Sequence, residues 1–118
     1  MDTDYERLVV DYLNGLGLPA KAYYDVPADR PGSFIIVLRT GGGHREIVME
    51  RPSFAIDCWA KTRRGAEDLA RSVQDAMQAM PEAVDNVFGC TVDSVYRNPD
   101  PDTGTPRYSI TLQLDTCV

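Results

Sequence analysis

A chain of 118 residues, 43% hydrophobic and 25% charged, fits one globular domain, residues 1–118, with a core of its own. Its net charge of −6 argues against a groove that grips nucleic acid, since such grooves concentrate Lys and Arg. An acidic wall past which a polyanion slides is still compatible with that charge. Three cysteines, Cys58, Cys90 and Cys117, are too few and too widely spaced for a disulfide framework or a zinc motif. No apolar window is long enough to span a membrane. The opening MDTDYERLVVDY lacks the basic region of a secretory signal, so the expectation is a cytosolic origin.

The first helix is expected over 3–14. Tyr5, Leu8, Val9, Tyr12 and Leu13 give its apolar stripe, and Thr3 or Asp2 its cap. Asn14, Gly15 and Gly17 end it. The connection 18–33 is rich in Pro and Asp, with a short edge strand over 21–26. Tyr23 and Tyr24 are expected to pack on the sheet.

Residues 34–39, FIIVLR, form a nearly continuous apolar strand. A turn over 40–44 and a return strand over 45–50 come next. The triple glycine is no phosphate loop, because no Lys-Ser/Thr and no helix follow it. Glycine there is expected to supply positive φ in a hairpin. Centring the turn on Gly42 sets Val37 opposite Ile47 and Ile35 opposite Met49, on the face that meets the helices. The other face then carries Phe34, Ile36, Leu38 and Val48. So many large apolar groups on a second face suggest cover by another element or by another subunit.

The best-defined stretch is 52–80. Phe54, Ile56, Cys58 and Ala60 alternate with Ala55, Asp57 and Trp59, the period of a strand. Thr62 is the expected N-cap of a helix. Ala66, Leu69, Ala70, Val73, Ala76, Met77 and Met80 recur at helical spacing, and Pro81 is expected to end the run. The two methionines are read as core fillers, and Cys58 as a small core residue.

Residues 90–97 and 107–116 make the last hairpin, with Val92 against Leu112 and Tyr96 against Tyr108. Its loop, NPDPDTGTP, is longer than a minimal hairpin needs, as contact loops often are. Asp100 and Asp102 are turn formers rather than a calcium loop, which would need a bidentate acid downstream. Glu67 and Asp68 near a helix start suit the helix dipole, and Asp57 is expected to pair with Arg63 or Arg64. His44, the sole histidine, comes after glycines in a turn and has no nucleophile or carboxylate to work with. Nothing points to catalysis, a metal or a cofactor.

Two stretches together resemble a known family. FAIDCWAKTRRGAEDLARSVQDAM is similar to the strand–helix signature of the tail-terminator, or tail-completion, proteins of long-tailed bacteriophages. There an acidic-x-Trp-Ala strand runs into Thr-Arg and an Ala/Leu-rich helix. VYRNPDPDTGTPRYSITLQLDT is similar to the family's closing hairpin, and the opening helix and PAKAYYDVP connection are similar in placement. The resemblance covers almost the whole chain in order, though each motif is loose.

The resemblance implies an α+β fold, a mixed or antiparallel sheet with two main helices packed on one face. It implies a structural virion protein of the siphovirus type. Its copies would form a homohexameric ring that caps the tail tube and offers a docking surface to the head and neck. It implies no enzyme, no cofactor and no catalytic residue. The implied partners are copies of itself, a tail-tube protein and a head or neck connector protein, with genomic DNA passing through unbound and no membrane. The implied location is the virion tail or neck, with the host cytoplasm as the place of assembly. Interface candidates are Phe34, Ile36, Leu38 and Val48 on the strands. Thr40, His44 and Arg45 join them from one loop, and Asp100, Asp102 and Arg107 from the other. Alternative readings are a head-completion or head–tail joining protein, and a small ligand-binding regulatory domain.

Overall fold

The computed structural model describes residues 3–42 and 49–117. Two helices, α1 (Tyr5–Gly15) and α2 (Arg63–Ala83), pack on one face of a mixed six-stranded sheet. The strands are β1 (Lys21–Tyr23), β2 (Phe34–Gly42), β3 (Met49–Glu50), β4 (Pro52–Trp59), β5 (Val87–Arg97) and β6 (Arg107–Cys117). Across the sheet the order is β1-β2-β4-β6-β5. β1 runs parallel to β2 and every other pairing is antiparallel. β3 pairs with the end of β6, Met49 with Cys117 and Glu50 with Thr116. That is the register in which β4 pairs Ser53 with Gln113, so β3 continues β4's line along β6 with a break at Arg51.

This arrangement corrects the first hairpin. Ile35 faces Cys58 rather than Met49, and Val37 faces Ile56. Gly42 pairs with Pro52 within the β2–β4 ladder, so it is not the centre of a turn. Gly41 and Gly42 belong to β2, and among the described residues only Gly17 and Gly104 have positive φ. The glycines instead come after a bulge at Thr40 that lets Arg39 fold back. Its Nε donates to the Gly41 carbonyl at 3.1 Å, and its guanidinium fills the space a Gly42 Cβ would need. Triple glycine misleads because the residue type that permits a turn also permits close approach. Ile47, Val48, His44 and Arg45 lie outside the described residues.

α2 forms as its sequence predicts, with one correction. Thr62 Oγ1 accepts the Gly65 N–H at 3.0 Å and closes the N-terminus. Leu69, Val73, Met77 and Met80 are buried along one stripe. On the outer face Glu67 sits between Arg63 and Arg71, at 2.9 and 3.1 Å, one turn away on either side. Pro81 lies inside the helix, which runs a further half-turn to Ala83. Proline forfeits only its own N–H bond, while Val84 N still donates to Met80 O at 2.9 Å. α1 is capped by Asp4, not by Thr3 or Asp2: Asp4 Oδ1 accepts the Arg7 N–H at 3.0 Å. Gly17, at φ 71°, supplies the left-handed residue after the helix.

The core lies between the helices and the sheet's inner face. Rows across the strands read Val37–Ile56–Ile110 and, one pair on, Phe54–Leu112. Tyr5, Val9, Leu13, Val73 and Met77 close over them, all buried. Two polar bonds tie neighbours within the layers: Tyr12 Oη of α1 donates to the Ala76 carbonyl of α2 at 2.6 Å, and Thr116 Oγ1 of β6 to the Glu50 carbonyl of β3 at 2.8 Å. Asn14 completes the β1 edge. Its amide donates to the Ala22 carbonyl at 3.1 Å, and its carbonyl accepts the Ala22 N–H at 2.8 Å. β1 is thereby blunted against further strand pairing.

The last hairpin keeps Val92 opposite Leu112, as expected, but a bulge between Val92 and Ser94 shifts the register of the rest of β5. Arg97, not Tyr96, faces Tyr108. A one-residue slip moves side chains to the other face, so Tyr96 sits on the open side of the sheet.

Candidate functional site

The candidate interface has three parts: the open sheet face, the two sheet edges, and the end of the sheet near Trp59. On the open face one row reads Ile36–Asp57–Ser109–Tyr96 and the next Leu38–Ala55–Thr111–Ser94. Among the described residues, the apolar strip expected there is confined to β2. Leu38 is 53% exposed and Ile36 half-buried, but their neighbours across the sheet are largely polar. Asp57 does not pair with Arg63 or Arg64. Its Oδ1 accepts from Ser109 Oγ at 2.6 Å, because strand alternation turns it away from α2. Ser94 and Thr111 share a 2.6 Å hydrogen bond beside it.

Phe34 is not exposed. It is buried and stacked on Trp59, with ring centroids 5.0 Å apart and planes 19° from parallel. The indole also carries two guanidinium groups, Arg30 at 5.2 Å and Arg107 at 4.9 Å from its centroid. Arg107 Nε donates to the Asn98 carbonyl at 2.7 Å, which holds it in place. Between this cluster and the chain at 30–32 lies a pocket of about 330 Å³, lined by Arg30, Pro31, Gly32, Phe34, Trp59, Ala60, Lys61 and Thr105.

The loop after β5 is built by Asp100, which is buried rather than offered to a partner. Its Oδ1 accepts the Asp102 N–H at 2.9 Å and its Oδ2 the Thr103 hydroxyl at 3.0 Å. Gly104 N closes the turn on Asp100 O at 2.8 Å. These bonds, the Asp102 N–H first, with Arg107 and Arg30 adding smaller attractions, hold the Asp100 carboxyl below the usual carboxylate range. Asp102 itself is exposed at the tip. No group of three His, Cys, Asp or Glu is placed to hold a metal among the described residues.

Thr40 is exposed, but at the other end of the sheet: β2 begins at Phe34 beside Trp59 and ends at Gly42 beside Pro52. Thr40 and the loop that holds Asp100 and Asp102 therefore lie at opposite ends of the strands. Sequence reasoning also missed the edges. Phe88, Val95 and Tyr96 are exposed on β5, one edge of the sheet. Leu16, Tyr24 and Val26 are exposed beside β1, the other edge. Tyr24 thus does not pack on the sheet as expected. An apolar residue count along β5 could have flagged that edge; nothing in the sequence brings Arg30 to Trp59.

No family profile matches the chain, and no curated protein does. Among solved structures, a chain of the virion of a native gene transfer agent particle shares the fold. The TM-score is 0.66 at 11% identity, over 94% of this chain and 85% of that one. At that identity the likeness concerns the fold.

Proposed function

We propose that this chain is a structural, non-enzymatic protein of a phage-like virion, and specifically a subunit of the ring that completes the tail and receives the head or neck. The observation that carries the reading is the fold shared along nearly all of the chain with a component of a gene transfer agent virion. The tail-terminator motifs around Trp59 and in the closing hairpin support the finer assignment. The surface supports assembly. Exposed apolar groups sit at both edges of the sheet, and a head-to-tail contact between unlike edges is the kind that closes into a ring. Because Asn14 occupies the β1 backbone, the contact rests on side chains: Phe88, Val95 and Tyr96 of one copy against Leu16, Tyr24 and Val26 of the next. Leu38, Ile36 and the exposed residues Thr40 and Asp102 then face other tail and neck components. DNA passes the acidic ring without specific contacts.

Light scattering on the purified chain, alone and mixed with tail-tube protein, tests the ring. Ring-sized particles that fall to monomers in Phe88→Asp support it; a strict monomer under both conditions overturns it. Copurification with headless tails separates the tail-completing role from a head-completion or joining role, in which the chain would accompany filled heads.

A further inference from the structure

Among the described residues, the pocket beside Trp59 is the one place where this acidic protein gathers cations beside an unsatisfied donor. Trp59 is 4% exposed, and its Nε1–H has no hydrogen-bond acceptor. Buried donors nearly always have one, and an indole N–H can only donate. Arg30 and Lys61 line the same pocket, and Arg107 lies over the same ring. Among the described residues neither Lys61 nor Arg107 has a carboxylate within 4.0 Å. Arg30 meets only Asp100, at 3.9 Å. That aspartate already accepts two closer hydrogen bonds. Lys61 lies across Gly32, where a Cβ would stand 2.8 Å from its Cε, so the ammonium stem borders the pocket.

We propose that this pocket receives a carboxylate carried on an acidic peptide segment of a protein partner, held by Arg30 and Lys61 with the indole edge of Trp59 beneath. The chemistry selects that ligand. Three cations call for an anion, in a chain whose net charge as a whole is −6. The Trp59 ring is already taken up by Phe34 and two guanidiniums, so no free π-face is left on which a nucleic-acid base would stack. Apolar lining from Phe34, Pro31 and Ala60 suits a side chain delivered by a polypeptide better than a free, fully hydrated ion. The pocket is formed within a single chain, so its occupancy is tested on that chain apart from the ring reading.

Trp59 is the only tryptophan, so a ¹⁵N-labelled sample gives one indole N–H signal, a direct reporter of the pocket. The probe is capped tetra-aspartate, with capped tetra-asparagine, inorganic phosphate and a thymidine oligonucleotide as comparisons. The proposal expects a saturable downfield shift with tetra-aspartate and none with tetra-asparagine. Binding weakens at higher ionic strength, and by roughly tenfold in Arg30→Gln/Lys61→Gln. Gly32→Ala, which displaces the end of Lys61 without straining the backbone, weakens it in the same direction and serves if the double variant does not fold. A flat indole signal with tetra-aspartate overturns the proposal. So does unchanged binding in variants that retain the wild-type amide spectrum. A response to phosphate or to the oligonucleotide alone overturns it too, in favour of a small-anion or nucleic-acid site.

Discussion

The two faces of one sheet are built from the same strands but to different rules. Toward the helices, Ile56, Ile110 and Val37 are sealed, and their neighbours Cys58, Phe54 and Leu112 are buried with them. On the other side the same strands present Asp57, Ser109, Thr111 and Leu38, tied by short hydrogen bonds or left open to solvent. One residue of strand separates the two environments. Stability and contact are thus divided by face: the inner face holds the fold together, and the outer face and the sheet's edges are free to be judged by what they touch.

That division is tested most severely from the inside. Ile56→Ala removes a fully buried branched side chain from the centre of the inner face. It is expected to cost about 3 kcal/mol, read from the urea midpoint at unchanged slope. A loss below about 1 kcal/mol would mean that the inner face is not the anchor. Thr62→Ala comes next. It leaves the Gly65 N–H unsatisfied at the start of α2 and is expected to cost about 1 kcal/mol in the same measurement.

The inner face was also the legible one. Period-two alternation marked β4, and 3.6-residue spacing with a threonine cap marked α2, because burial on one side forces the pattern. The outer face imposes no such pattern, so its contacts were hidden. The Val92/Ser94 bulge that turns Tyr96 outward has no residue signature, and Gly41 and Gly42, which imitate a turn, belong to a strand. The burial of Phe34 depends on Trp59, Arg30 and Arg107 meeting from three separate segments, which no local spacing reports. Of the candidate interface residues, Leu38, Thr40 and Asp102 are on the surface, whereas Phe34 and Asp100 are spent on building the end of the sheet.

Ionisable groups carry the contrast further. The Asp100 carboxyl is held below its usual range, chiefly by the Asp102 N–H. Its folded-state value lies under its unfolded one. The stability it contributes is therefore present above the ordinary aspartate range near pH 4 and lost as pH falls through the depressed value. Asp100→Asn should flatten the acid limb of the stability curve relative to wild type. An unchanged limb would show that the loop's bonds do not depend on the charge. Among the thiols, burial, with Asp115 adding repulsion, pushes Cys90 up to about 11, and burial pushes Cys58 further still, with Asp57 adding to it. At pH 8 a thiol reagent should label exposed Cys117 first and Cys90 about 100-fold more slowly than an ordinary thiol. Cys58, on the inner face, should react only on unfolding.

Leu38→Asp is the gentlest change and the most decisive for the outer face. Leu38 is half-exposed on β2, and its cross-strand neighbour is Ala55, so a charge there meets water rather than a buried partner. Stability should move by less than about 0.5 kcal/mol. If this face meets other tail components, however, the same charge would be desolvated against them, and tail association should fail while the monomer's urea curve overlays wild type. Association and stability falling together would mean that Leu38 belongs to the fold rather than to a contact. Neither changing would leave the edges at β1 and β5 as the whole of the assembling surface.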